Sequence, residues 1–294
     1  MSRPLAPQLS GCLPHRDAGY VPTVPERPDL EYVVPRLHAA LAGAEIVGAR
    51  ARKPVVLRCA VDEVRGRIGA VSRRSASVVF HCGSRDLVVI PMLAGRFEID
   101  GKDTADLAVA FTLADGRVLR YRDDVQMGKI WWTAPRAAIP GLAEGGIDVL
   151  GPAFTVDALS RLATRRREQV KVFLMDKTAL DGMGNAYADE VLWAARIHPK
   201  RTTSRLGPAE LNALHAAIIE VIGGATATIA ARQPPLPEKV RDFLHVRGKK
   251  GDPCDRCGQV IRTVGIHGHD AFYCPACQPD ADGRGFVDWG RAPR

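Results

Sequence analysis

No stretch of this 294-residue chain stays apolar for the roughly 18 residues that a membrane-spanning segment needs, so the sequence predicts no such segment. The opening "MSRPLAPQLSGCLPHRDAGY" lacks a continuous apolar core and does not read as a secretory leader. Cysteine is scarce. Of seven, Cys12, Cys59 and Cys82 are scattered and four crowd near the C-terminus, which is no disulfide framework for a chain of this size and points to a reducing cytoplasm. Internal repeats are absent. Acidic residues are in deficit, 33 against 41 basic ones, for a net charge of +8. That balance favours a polyanionic partner, nucleic acid before an acidic membrane surface. A hydrophobic share of 46% and a charged share of 25% fit an ordinary globular protein long enough for two domains.

Along the chain, residues 1–24 are rich in proline and polar residues without apolar period, and predict a disordered extension. From Pro28, Leu30, Val33, Val34, Leu37 and Leu41 follow helical spacing, with Pro35 expected to kink or shorten the helix. "SASVVFHC" and "DLVVIPM" around "GSR", then "LAVAFTL" and "RVLRY" around "ADG", predict two hairpins. The first half, residues 25–145, therefore reads as mostly strands behind one helix. The second half, 150–245, reads as helical. Thr155 caps a helix carrying Val156, Leu159 and Leu162. Another helix spans about Tyr187 to Ile197, and a third runs from Pro208 and ends at Gly223–Gly224. A cysteine module follows over 248–278, and 279–294 is a loose tail.

"CDRC" and "CPAC" place Cys254, Cys257, Cys274 and Cys277 as two CxxC pairs sixteen residues apart. Two such turns at the ends of a hairpin make a four-sulfur site for one structural Zn2+, with no open position for catalysis. A redox CxxC would follow a strand in a βαβ unit, and none is here. Arg262, His267 and His269 lie between the pairs, left for solvent or DNA. Upstream, "KVFLMDKTALDGMGNAYADEVLWAARIHPKR" gives a helix, a turn in which Gly182 and Gly184 permit positive φ, and a second helix starting at Asn185. The free N–H groups there can hold an anion, or the segment is a plain helix–turn–helix corner.

"PERPDLE", then "LMDKTALDGMGNAYADEVLWAARIHP", then "GKKGDPCDRC…FYCPACQ" occur in this order, and together they closely resemble the formamidopyrimidine-DNA glycosylase and endonuclease VIII family over residues 25 to 278. The resemblance implies an α+β clamp on duplex DNA: an N-terminal β-sandwich domain with a helix, a helical domain with a helix–two-turns–helix element, and a zinc-finger hairpin. It implies a monomeric bifunctional enzyme of DNA base-excision repair, a glycosylase and abasic-site lyase. Pro25 would be its nucleophile, Glu26 its general acid/base and Asn185 a phosphate contact. Charge and place add Arg73, Arg74, Lys171 and Lys249 as further phosphate contacts.

The chemistry requires an amine that attacks C1′ of the sugar and leaves an iminium whose neighbouring protons become acidic enough for elimination. A terminal α-amine titrates at about 7.7–8.0, so part of it is neutral at pH 7. An internal proline nitrogen is an amide and inert. The sequence therefore predicts that the working chain begins at Pro25, through a start at Val24 or through proteolysis. Several positions depart from the family's pattern. Ala76 stands where it usually has a lysine. Leu93, Gln126 and Met127 stand where it has the side chains that fill the gap left by the flipped base, with Leu93 and Met127 still able to act as apolar wedges. His269 stands at the usual finger arginine, with Arg262 a substitute. These departures leave open a non-catalytic protein that binds abasic or damaged DNA, or a zinc ribbon with an RNA partner.

Overall fold

The computed structural model describes residues 24–142 and 144–280; the extension over 1–23 and the tail from 281 lie outside the described residues. Helix α1, Arg27–Leu41, opens the described chain with Pro28 in its first turn, where a missing N–H costs nothing. It runs through Pro35 and is not shortened there. Pro35 is on the exposed side, while Leu30, Val34, Leu37 and Leu41 are buried.

Two antiparallel sheets follow. One has five strands in the order β2 (Gly66–Arg67), β1 (Glu45–Ala51), β7 (Leu107–Leu113), β8 (Val118–Arg122) and β6 (Arg96–Ile99). The other has four, β3 (Ala70–Arg74), β4 (Ser77–Cys82), β5 (Arg85–Ile90) and β9 (Lys129–Thr133). Both predicted hairpins are present, β4 with β5 and β7 with β8, and Gly116 takes the positive φ (+90°) that its turn demands. One apolar core joins α1 to both sheets, with Leu37, Ile68, Phe80, Leu87, Phe111 and Tyr121 at its centre. Alternate strand residues enter it, as period-two patterning requires.

A second core belongs to the helical half: α2 (Val156–Thr164), α3 (Val170–Met175), α4 (Asn185–Ala194) and α5 (Pro208–Arg232). The Thr155 hydroxyl accepts from the Ala158 amide and caps α2 as predicted. A two-residue parallel pair, β10 (Ile147–Asp148) with β11 (Leu180–Asp181), ties its entry to the loop before α4. α5 does not end at Gly223–Gly224 but continues to Arg232. Each glycine costs about 1 kcal/mol against alanine, and burial of Ala225 and Ile229 beyond them outweighs it, since one isoleucine contributes about 1.5–3 kcal/mol. α5 is long and apolar enough to meet the composition of a membrane span, but its apolar face packs on α1, α2 and α4. The last strand pair is the hairpin of β12 (Arg262–Ile266) and β13 (His269–Tyr273), with its turn at His267 and Gly268.

Candidate active site and metal centre

The turn between β11 and α4 faces the start of α1. Gly184 has φ −130°, so it is not there for a left-handed conformation as the sequence suggests; Gly182, at +143°, is. A Cβ on Gly184 would stand 2.6 Å from the carboxyl carbon of Glu26. The glycine is what lets Glu26 reach the helix. Its Oε2 accepts from the amides of Gly184 at 2.8 Å and Tyr187 at 3.2 Å, and its Oε1 from Ala186 at 2.8 Å. The anion at this helix N-terminus is thus the chain's own carboxylate, where free N–H groups and the helix dipole favour it.

Asn185 begins α4 with its Oδ1 buried and bonded to nothing, while its backbone neighbours are taken by Glu26. The anion site foreseen at this turn is therefore filled from within by Glu26. Asp29 supports the arrangement from the first turn of α1. It accepts from the Glu26 amide at 2.8 Å and pairs with Arg241, whose guanidinium also donates to the Tyr187 hydroxyl at 3.0 Å.

Pro25 is buried between two clefts. The smaller is lined by Glu26, Arg73, Ser75, Ala76, Lys177 and Asp181. The larger has apolar walls from Leu30, Phe97 and Ile229 and polar groups from Asp29, Arg96 and Lys239. Burial lowers the Lys239 ammonium to about 8 against the opposing pull of Asp29.

Three expected phosphate contacts are corrected. Lys171 is fully buried, pairs with Asp189 at 2.6 Å and donates to the Asp270 carbonyl at 2.6 Å. Helical periodicity gave no sign that this lysine points inward; its partners are 18 and 99 residues away. Desolvation lowers Lys171 and raises Asp189, the direction expected of a buried pair. Arg73 turns into a nest of acids, with Asp181 at 2.9 Å, Glu31 at 3.4 Å and Asp148 at 3.9 Å. Arg74 is held by both oxygens of Glu144. Lys249 remains partly exposed beside Asp255 at 3.7 Å, and Arg262 and His269 lie exposed on the finger hairpin.

The two apolar wedges differ. Leu93 is half-buried in the turn after β5, and its carbonyl accepts from Lys239 at 3.4 Å. Met127 is 43% exposed beside the left-handed Gln126. Its loop is rigid because the buried Asp123 accepts from the amides of Gln126 at 2.8 Å and Gly128 at 2.7 Å.

The sulfurs of Cys254, Cys257, Cys274 and Cys277 all lie within 4.8 Å of one another. Neighbouring pairs are separated by 4.0, 3.5 and 3.4 Å. Tetrahedral zinc with bonds of about 2.3 Å separates its sulfurs by about 3.8 Å, so the cluster fits one structural zinc. Burial and the three neighbouring sulfurs push Cys277 up to about 12, the crowding that a bound dication relieves. Trp193 donates its indole N–H to Cys254 at 3.3 Å and ties the finger to α4. Sequence spacing gave no hint of that bond.

Residues 24–130 match the formamidopyrimidine-DNA glycosylase N-terminal domain, 146–232 the formamidopyrimidine-DNA glycosylase H2TH domain, and 251–279 the zinc finger found in FPG and IleRS. The chain is 31% identical over 273 residues to a formamidopyrimidine-DNA glycosylase of Pelotomaculum thermopropionicum, covering 87% of this chain and 99% of that one. It is 34% identical over 277 residues to the one of Alkalilimnicola ehrlichii, covering 87% and 100%. The structure superposes on Lactococcus lactis Fpg bound to abasic-site DNA with a TM-score of 0.79 and 25% identity, covering 87% and 100%. On the same protein with DNA containing an oxidised pyrimidine the score is 0.78 at 26% identity, with the same coverage.

Proposed function

The chain belongs to the formamidopyrimidine-DNA glycosylase family, and we propose that it excises damaged bases from duplex DNA with the amine of Pro25 as nucleophile and Glu26 as the proton carrier. It is a DNA repair glycosylase with one structural zinc, and its partner is DNA that carries abasic sites or oxidised bases. The observation that carries the reading is the juxtaposition of Pro25 with Glu26, itself fixed by the Gly184, Ala186 and Tyr187 amides.

Attack by the Pro25 nitrogen on C1′ breaks the glycosidic bond, and the base leaves with its electron pair. The amine gives up its proton, the C1′–O4′ bond breaks as O4′ takes a proton from Glu26, and the opened sugar is left as an iminium, permanently charged because proline is a secondary amine. Glu26 accepts and returns protons at the sugar oxygen and carbons. Elimination then breaks the C–O bond to the 3′ phosphate. The larger cleft beside Pro25 has apolar walls for the face of a flipped base, with Lys239 and Arg96 at its edge to meet carbonyl oxygens. Met127, exposed on a rigid loop, suits the space the base vacates. Lys249, Arg262 and His269, on the outer face of the finger side, would meet phosphates, and Asn185 would do so by donating from its side-chain amide nitrogen.

Borohydride reduces such an iminium to a stable cross-link. A chain beginning at Pro25 should trap abasic-site duplex, and the chain that keeps residues 1–24 should not. Binding by both without a cross-link from either would leave a non-catalytic protein that recognises damaged DNA.

A further inference from the structure

The smaller cleft beside Pro25 has a charge distribution that the mechanism above does not use. Among its cations, Arg27 is claimed by Asp148 and by Glu31 at 3.1 Å. Arg73 is claimed by Asp181, Glu31 and Asp148. The Glu26 carboxylate is satisfied by three amides. Lys177 alone stands apart: its ammonium has no hydrogen bond or ion pair among the described residues. The acid beside it in sequence, Asp176, is already bound by Arg166 and, at 2.7 Å, by the Thr178 hydroxyl.

A half-buried ammonium without an acid is unusual in a chain that matches its cleft arginines so fully, and it leaves one positive charge for a ligand. The turn that carries it is stiff. Asp176 accepts from the Thr178 amide at 2.8 Å through its side chain and from Ala179 and Leu180, both at 2.9 Å, through its carbonyl. Across the cleft stands Ser75, whose hydroxyl oxygen is buried and hydrogen-bonded to nothing. Ser75 also holds a left-handed backbone, φ +50°, a conformation that a non-glycine residue keeps only where its surroundings enforce it. Ala76 beside it contributes only a methyl group to that wall.

Resting on the proposed function, we infer that Lys177 and the Ser75 hydroxyl form the grip for the phosphodiester next to the reacting sugar. The ammonium neutralises one phosphate and the hydroxyl donates to the same group. Together they set how deeply the sugar sits against Pro25. The chemistry is that of a backbone contact, so it fixes position and reads no base.

The test is equilibrium binding of the full zinc-loaded chain to a duplex with a tetrahydrofuran abasic analogue, from 50 to 200 mM salt. One lost phosphate contact lowers the slope of log K against log salt by about 0.9. Over that fourfold range, Lys177→Ala should therefore lose about 3.5-fold less affinity than the parent chain. Lys177→Arg should restore the parent slope. Ser75→Ala, which removes no charge, should weaken binding at every salt with the slope unchanged. Lys102→Ala, on the loop after β6, should leave the parent slope intact. An unaltered slope in Lys177→Ala overturns the inference, as does an equal loss of slope in Lys102→Ala, which would signal bulk charge. A parent chain that binds damaged and undamaged duplex equally overturns the functional reading instead, so the two failures are distinct.

Discussion

The carboxylate of Glu26 accepts the amide of Ala186 at 2.8 Å across 160 residues of sequence, and with it the helical half of the molecule supplies the helix end that holds the acid of the other half. Glu26→Ala leaves three amides at the start of α4 without their partner and should destabilise the fold by about 2–4 kcal/mol. Glu26→Gln keeps one acceptor oxygen and should cost less than half as much, while still abolishing the borohydride cross-link. Urea midpoints and trapping on the same preparations separate the two roles. A fully active Glu26→Gln chain would remove Glu26 from the chemistry.

The pair of Lys171 and Asp189 is fully buried. Removing one partner strands a charge, so Lys171→Met alone should cost about 3–5 kcal/mol. Replacing both, with Asp189→Leu, should recover most of that loss, because Arg247 then turns toward solvent from its 22% exposed position. The double variant should keep the parent salt slope for DNA, which a phosphate-binding lysine would not.

Lys239 gives a pH signature. Its folded value is about 8 against an ordinary 10.5. A lowered folded value means that burying the charged form opposes folding below pH 8. That opposition fades as the folded lysine, and then the unfolded one, loses its proton. Lys239→Met should therefore stabilise the protein by up to about 3 kcal/mol at pH 7, with the difference closing between pH 8 and 10.5. Chemical denaturation at four pH values reads this directly, and a gap that widens with pH would contradict it.

Stripping zinc should release one ion per chain and alter Trp193 emission, since its N–H loses a thiolate partner. DNA affinity should fall at least tenfold, while the sheet domain's own unfolding transition persists. Metal analysis and fluorescence on one sample check both.

Met127 is exposed on its rigid loop. Met127→Ala should change stability by less than about 0.5 kcal/mol and weaken binding to abasic duplex several-fold more than to intact duplex. Equal weakening on both would make it an ordinary surface residue.

What the sequence reveals depends on the range of the interaction. The hairpins at Gly116 and Gly83 were legible because turn chemistry and strand alternation are local. The zinc cysteines were legible because metal geometry dictates CxxC spacing. The length of α5 was not, because its partner is α1, far away in sequence, and local propensity at Gly223–Gly224 argued the other way. Lys171 and Arg73 were misread for the same reason: a charge looks solvated until its acid, distant in sequence, is known. Gly184 was recognised as necessary, but as a turn glycine rather than as room for Glu26.

The way Glu26 is held also bears on engineering. A chain cut in the loop between β9 and β10 would give two fragments, each with its own core. Neither would contain a finished centre, because one carries the acid and the other the amides that hold it. Such fragments, fused to two interacting proteins, would make a complementation reporter that is silent apart and nicks damaged DNA only on reunion.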